Sequence, residues 1–171
     1  SMSVDNFYGG DVAKWRMFAN SLKLRMGMVL ADVDPGLSVA TVNSAVSGGV
    51  FTSNADNGSY HYSASAPNNN PMNDNLVLSG RNDYVAGKTI VDKMNALEDP
   101  RRPVYFTPLD GIYVGGIIGN PSPYARFSHV APRLVNPTET VVLLSYVEVE
   151  FLLAEAADRG GYTVSGEGES D

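Results

Sequence analysis

Between Asp11 and the Pro35-Gly36 pair, apolar residues recur at Trp15, Phe18, Ala19, Leu22, Met26 and Val29, the spacing of one continuous face of an α-helix. Lys14, Arg16, Asn20, Lys23 and Arg25 fall on the opposite side. Asp11 has the chemistry of an N-cap, and Pro35-Gly36 ends any continuation. Such a helix cannot satisfy its apolar stripe alone, so the chain must supply partner helices. Burying five large side chains from this face contributes roughly 1.5–3 kcal/mol each before conformational entropy is charged.

Three further segments have helical character. Ser38 can cap a helix whose Val39, Val42, Ala45 and Val46 face one way, with Gly48-Gly49 as a left-handed stop. A third is expected from Asp83 to Leu97, with Ala86, Ile90, Met94 and Leu97 as its inner row, Tyr84 and Val91 beside them, and Asp99-Pro100 as its end. The fourth opens on a capping box, Ser145 with Glu148, presents Val149, Leu152, Leu153 and Ala156 inward, and closes at Gly160-Gly161. Val141 to Leu144 leads into it as an extended segment. The stretch from Phe51 to Asn75 is a long loop rich in Asn and Asp, and segments of that length without regular structure are usually functional or disordered. Residues 103–139 hold too many Pro and Gly for a regular helix, with Val104 to Phe106 and Ile112 to Val114 as short extended edges. The tail from Ser165 to Asp171 has nothing apolar to pack, and Ser1-Met2-Ser3 reads as a cloning scar at the start of a fragment. The expected fold class is mainly α: helix pairs with long irregular loops and a few short strands.

A chain of 171 residues can bury roughly 70% of its unfolded surface in one domain. Its formal charge of −7, with no basic stripe, disfavours a phosphate backbone as partner, so no nucleic acid is expected. The absence of cysteine removes disulfides, thiolate metal sites and Cys nucleophiles from this chain. No apolar run approaches the 18 or so residues of a membrane helix.

Motifs for catalysis are wanting. His61 and His129 lie in different loops without HExxH spacing, and no carboxylate pair stands out as a glycosidase pair, so neither a metal nor catalytic residues are expected. Gly115-Gly116-Ile117-Ile118-Gly119 lacks the Lys-Ser/Thr ending of a phosphate loop, and Pro121 follows where a helix should begin. No cofactor is implied. Aromatic residues in the loops are more suggestive. Tyr60, Tyr62, Tyr113, Tyr124 and Phe127 sit beside Asn, Ser or Gly, and sugar rings stack their C–H faces on aromatic planes while amides and guanidiniums bind their hydroxyls. Tyr60, Tyr62, Tyr113 and Tyr124 are the candidate ligand-binding residues; the alternative for each is pinning a loop to the helices. Trp15, on the apolar face of the first helix, reads as core.

Three stretches, in order, resemble the SusD/RagB family of nutrient-binding outer-membrane lipoproteins of Bacteroidetes. They are Tyr8 to Met26 (with Gly10-Asp11, Lys14-Trp15 and Phe18-Ala19-Asn20-Ser21-Leu22), Arg81 to Val85 continuing through Leu97-Glu98-Asp99-Pro100-Arg101, and Leu144 to Ala156. Val42 through Asn57 also reads like the family's connection. The resemblance implies tetratricopeptide-like helix pairs in a non-catalytic protein that captures oligosaccharides or peptides at the cell surface. It implies a lipid anchor on an N-terminal Cys outside this fragment, and a TonB-dependent, SusC-like transporter as partner. It further implies a piece of roughly a third of such a protein, from the middle toward the C-terminal portion. The matching motifs pack helices, so no ligand-binding residue is carried over. The competing function class is a helical-repeat scaffold that binds only other proteins, with a glycosidase third.

Overall fold

The computed structural model describes residues 5–164; the expected scar at Ser1–Ser3 and the polar tail from Ser165 lie outside them. The chain divides into two compact units. The first is formed by residues 1–60 and 141–171, the second by residues 61–140.

In the first unit, helix α1 spans Val12–Val29 and α2 spans Pro35–Gly48. Asp11 caps α1 as its sequence suggests, its carboxylate accepting from the Ala13 and Lys14 amides. The expected face is met in part: Phe18 and Leu22 pack against the core and Trp15 is half-buried, but the most buried row is a different one. Ser21, Leu24, Gly27 and Met28 are buried, whereas Met26 is 61% and Val29 75% exposed. The rotation follows from size rather than hydropathy. A Cβ on Gly27 would stand 2.7 Å from Val42 Cγ2, so α2 crosses where α1 has no side chain. The Ser38 hydroxyl donates to Gly27 O at 2.7 Å, and Ser21 Oγ accepts from the Phe51 amide at 2.9 Å. A polar-looking row thus holds the α1–α2 crossing.

Helix α2 begins earlier than the sequence suggested. Asp34 is its N-cap and Pro35 occupies the first turn, where a missing N–H costs nothing. This frees Ser38 for its buried bonds. Gly49, at φ 88°, ends the helix as expected.

The chain then forms a short turn at Asn54–Asp56 and strand β1, Gly58–Tyr60. The turn carries a complete capping box between Ser53 and Asp56. Burial alone would raise the Asp56 pKa, but bonds from the Thr52 and Ser53 amides and hydroxyls outweigh it and hold the carboxyl below its usual range. After the second unit the chain returns as the strand Val141–Leu144, antiparallel to β1, and then as the last helix, Tyr146–Arg159.

That last helix shows Val149 and Ala156 buried with Leu152 and Leu153 packed beside them, as expected. Ser145 Oγ accepts from the Glu148 amide, but the Glu148 carboxylate does not return to the cap. It binds Arg25 of α1 instead, in a two-pronged pair with Nε–Oε1 at 2.5 Å and Nη2–Oε2 at 2.8 Å. Trp15 packs against Phe7, Tyr8 and Phe18, and its indole N–H donates to Asp5.

The second unit is less regular. Its elements are α3 (Pro71–Asn73), a π-turn at Asp74–Leu78, α4 (Lys88–Ala96), α5 (Arg102–Tyr105), β2 (Phe106–Thr107) and β3 (His129–Val130), followed by the returning strand β4 and last helix α6 of the first unit. Helix α4 starts at Lys88 rather than Asp83. Residues 86–88 are committed to distant partners: Ala86 exchanges bonds with Ser128 and Gly116, and the Lys88 amide donates to Gly116 O. The Gly115-Gly116 pair serves this approach, since a Cβ on Gly115 would overlap the Lys88 backbone. Ile90 and Leu97, expected inward, are 51% and 62% exposed, while Val91 and Met94 are buried. Val104 is helical, and Ile112 forms an isolated bridge with Leu109. Two asparagines tie the Asn-rich stretch to the 134–136 segment: Asn70 Nδ2 donates to Leu134 O and Asn136 O, and Asn73 Nδ2 donates to Val135 O, while buried Asn69 donates to Asp74 Oδ1 in its own stretch.

Gly58 is buried with its missing side chain directed at the Phe18 ring. Gly58→Ala should therefore overpack the β1–α1 contact and cost about 1–3 kcal/mol. A thermal melt unchanged from the parent would contradict this packing.

Candidate functional site

Two clefts of the second unit place an arginine over a tyrosine ring. The first, about 210 Å³, is lined by Arg81, Tyr84, Tyr124, His129 and by aliphatic residues including Leu76 and Val130. The strand β3 carries His129, and a turn at Tyr124–Arg126 carries Tyr124. Their rings stack in parallel, 3.6 Å between centroids and 6° between planes, and His129 Nε2 lies 2.8 Å from Tyr124 O. On the segment before α4, the Arg81 guanidinium sits 4.9 Å from the centre of the Tyr84 ring. Arg81 also holds Asp83 through Nε and Nη2, which keeps that carboxyl below its usual range and neutralises the arginine locally. The cleft thus gathers two tyrosine rings, one stacked on His129 and one under Arg81, with an ion pair at its edge.

The second cleft, about 320 Å³, is lined by Asn95, Arg102, Gly111, Ile112 and Tyr113. Asn95 Nδ2 donates to Tyr113 O, Arg102 Nη1 donates to Asn95 Oδ1, and the guanidinium lies 5.5 Å from the Tyr113 ring centre. A third cleft, about 420 Å³, is bounded by Met72, Ile90, Met94, Tyr105, Phe106 and Leu134 with Arg101 at its edge, and is mostly apolar.

The four sequence candidates therefore separate. Tyr124 lines the first cleft and Tyr113 the second. Tyr60 belongs to the first unit, where its ring packs edge-on against Phe7 and its hydroxyl accepts from Asn6. Tyr62 opens the second unit, half-buried, and lines neither of these clefts. Tyr84, Arg81 and Arg102 escaped the sequence reading. Tyr84 was expected to face the core from a helix, yet it is 47% exposed on non-helical chain. Phe127 is half-buried and lines neither of these two clefts. Among the described residues no group of three or more His, Cys, Asp or Glu side chains converges, and no helix is long and apolar enough to cross a membrane.

Two units of this kind, a helix-pair framework and an irregular unit carried between its paired strands, define a helical scaffold with an inserted module. Residues 1–170 match the SusD-like family, described as starch-binding and associating with the outer membrane, and the chain belongs to that family. Among solved structures it is similar to a SusD homolog from Bacteroides thetaiotaomicron, at 33% identity and TM-score 0.74 over 95% of this chain and 34% of that one. A SusD homolog from Bacteroides uniformis gives 30% identity and TM-score 0.77 over 97% and 36%. A chitin-binding SusD homolog from Flavobacterium johnsoniae gives 28% identity and TM-score 0.75 over 96% and 34%. The chain thus spans 34–36% of the length of these relatives. None of the curated proteins matches it.

Asp99, the acid of the Asp-Pro-Arg stretch, touches the second cleft through its carbonyl, which accepts from Arg102 Nε, while its carboxylate holds Arg101 on the wall of the third. Its carboxylate takes the Arg101 side chain through Nε and Nη2 and also accepts the Arg101 amide. The Arg101 side chain, first, and that amide lower its pKa from 3.8 to about 2. A lowered carboxyl stabilises the fold above its unfolded pKa, and the contribution disappears as pH falls through the folded one. Asp99→Asn should therefore melt lower at neutral pH, with a shallower loss of melting temperature between about pH 4 and about pH 2 than the parent. Parallel pH–melting curves for the two proteins would refute the assignment.

Proposed function

We propose that this chain is part of a non-catalytic, outward-facing outer-membrane protein that captures oligosaccharides, with the Tyr84–Tyr124 cleft as a sugar-binding surface. The observation that carries the reading is the pairing of Tyr124 stacked on His129 with Tyr84 beneath Arg81 in one cleft. Pyranose rings bring apolar C–H faces to such planes, and their hydroxyls find donors and acceptors on the rim. Membership of a family described as starch-binding and similarity to a chitin-binding homolog support a carbohydrate over a peptide. The cleft is smaller than the roughly 300–1,000 Å³ of drug-sized ligand sites, a size that suits one sugar ring with the rest of the chain in solvent. A lipid anchor on a segment outside this sequence and delivery to a TonB-dependent, SusC-like transporter complete the reading.

Binding is tested by calorimetry of the whole protein against starch- and chitin-derived oligosaccharides and a wider neutral glycan panel. The parent should bind at least one, and Tyr124→Ala should weaken that binding roughly 3- to 10-fold through loss of a stacking surface. A parent protein that binds no glycan, or a Tyr124→Ala variant that binds as the parent does, would remove the cleft from consideration. Copurification with a large outer-membrane transporter tests the partner independently.

A further inference from the structure

The second cleft differs from the first in charge. Arg81 is paired with Asp83, whereas Arg102 is in no ion pair among the described residues. Its contacts are with neutral oxygens: Nε donates to Asp99 O at 3.0 Å and Nη1 to Asn95 Oδ1 at 3.1 Å. The Asp99 carboxylate takes its hydrogen bonds from Arg101 and acts on Arg102 only through space, so the Arg102 donors that face away from Asp99 stay open. Among the described residues Glu98 and Asp110 form no ion pair with it. A guanidinium has five N–H donors, and two of those on Arg102 are used, which leaves three for a ligand. The side chain is half-buried, lies 5.5 Å from the Tyr113 ring centre and is held by Asp99 O and Asn95 Oδ1, so its direction is set before anything binds. Beyond the cleft, residues 61–140 carry seven Lys and Arg against seven Asp and Glu, so the acidic excess of the chain lies outside this unit. An anionic ligand meets no general repulsion here.

We infer that the cleft formed by Asn95, Arg102, Gly111, Ile112 and Tyr113 is a second saccharide site, selective for a sugar bearing an oxyanion, whose carboxylate or sulfate is received by Arg102. The planar fork of arginine matches both oxyanions. Tyr113 supplies the aromatic edge of the cleft, and Asn95, fixed by bonds to Tyr113 O and Arg102, holds the cation in place. The inference rests on the saccharide reading above but uses none of the residues of the first cleft.

The test is calorimetry of the whole protein with uronate-bearing oligosaccharides (galacturonate, glucuronate and mannuronate backbones), the same compounds after carboxyl reduction, and sulfated oligosaccharides with their desulfated counterparts. At least one anionic compound should bind, and removing its charge should weaken binding about tenfold or more, as expected for a charge-assisted contact. Which pair shows the loss tells carboxylate from sulfate. Arg102→Gln should reproduce the loss while leaving neutral glycans bound at the Tyr124 cleft unaffected. Because Arg102 also braces Asn95, a second variant guards against misfolding: Ile112, 62% exposed at the rim, becomes Asp in Ile112→Asp and should repel the same ligand several-fold. Neutral glycans binding while no anionic one does would overturn this inference and leave the proposed function standing. So would anionic binding indifferent to both substitutions. A protein that binds no glycan of any kind would overturn both.

Discussion

The first unit depends on one close approach, the crossing of two helices at Gly27. With hydrogen in place of a side chain, Val42 and Thr41 come within reach of the α1 backbone, and the Ser38 hydroxyl closes the gap by bonding Gly27 O. The same hydroxyl meets Tyr162 Oη at 2.8 Å, so the chain beyond α6 is clasped to the pair. Arg25, two residues before the crossing, reaches the start of α6 through Glu148, and Arg159 at its other end pairs with Asp32 in the α1–α2 turn. Both contacts join residues more than a hundred positions apart, and both presuppose the helix pair. Leu24, Val42, Ala45, Phe51, Leu144, Val149 and Ala156 then fill a single core around it.

The second unit solves a different problem. It has few buried aliphatic side chains, chiefly Ala86, Val91, Met94 and Ala131, and much irregular backbone whose amides and carbonyls must still be satisfied. It does so with side-chain amides and with glycines. Asn70 and Asn73 bond the carbonyls of 134–136, Ser128 Oγ accepts from the Val114 amide, and Gly116 lets two extended segments exchange bonds. An Asn run that looks like solvated loop is in this case scaffolding. Irregular chain held in this way leaves its tyrosines and arginines near the surface, where both clefts form.

How much of this could be read from the residues follows from how local each cause is. Asp11, Gly49, Ser145 and Gly160 were legible as helix ends, because capping is decided within a few residues. The buried face of α1 was legible only in part: Phe18 and Leu22 pack inward, but Gly27 is buried for its small size against α2 and Ser21 for its bond to the Phe51 amide, properties a hydropathy period ignores. The start of α4 was misplaced because Ala86 and Gly87 pair with residues some thirty to forty positions away. Glu148 was expected to close its own cap, and a distant arginine claimed it. Among the loop aromatics, Tyr113 and Tyr124 proved to line clefts, but only the fold shows that Arg102 and Arg81 stand over tyrosine rings. The family itself was readable from the Tyr8–Met26 string, and 1–170 carry that match.

The ladder between β1 and β4 has a consequence for how such a protein can change. Tyr60 pairs with Val141, so the segment that departs after one returns at its cross-strand neighbour. Adjacent strands lie about 5 Å apart, and the framework has already met the cost of bringing those ends together. Any segment that leaves and re-enters at that gap can be exchanged, lengthened or rewritten while the helices keep their contacts. The paired strands act as a socket: the chain between Tyr60 and Val141 leaves and re-enters the framework at one point.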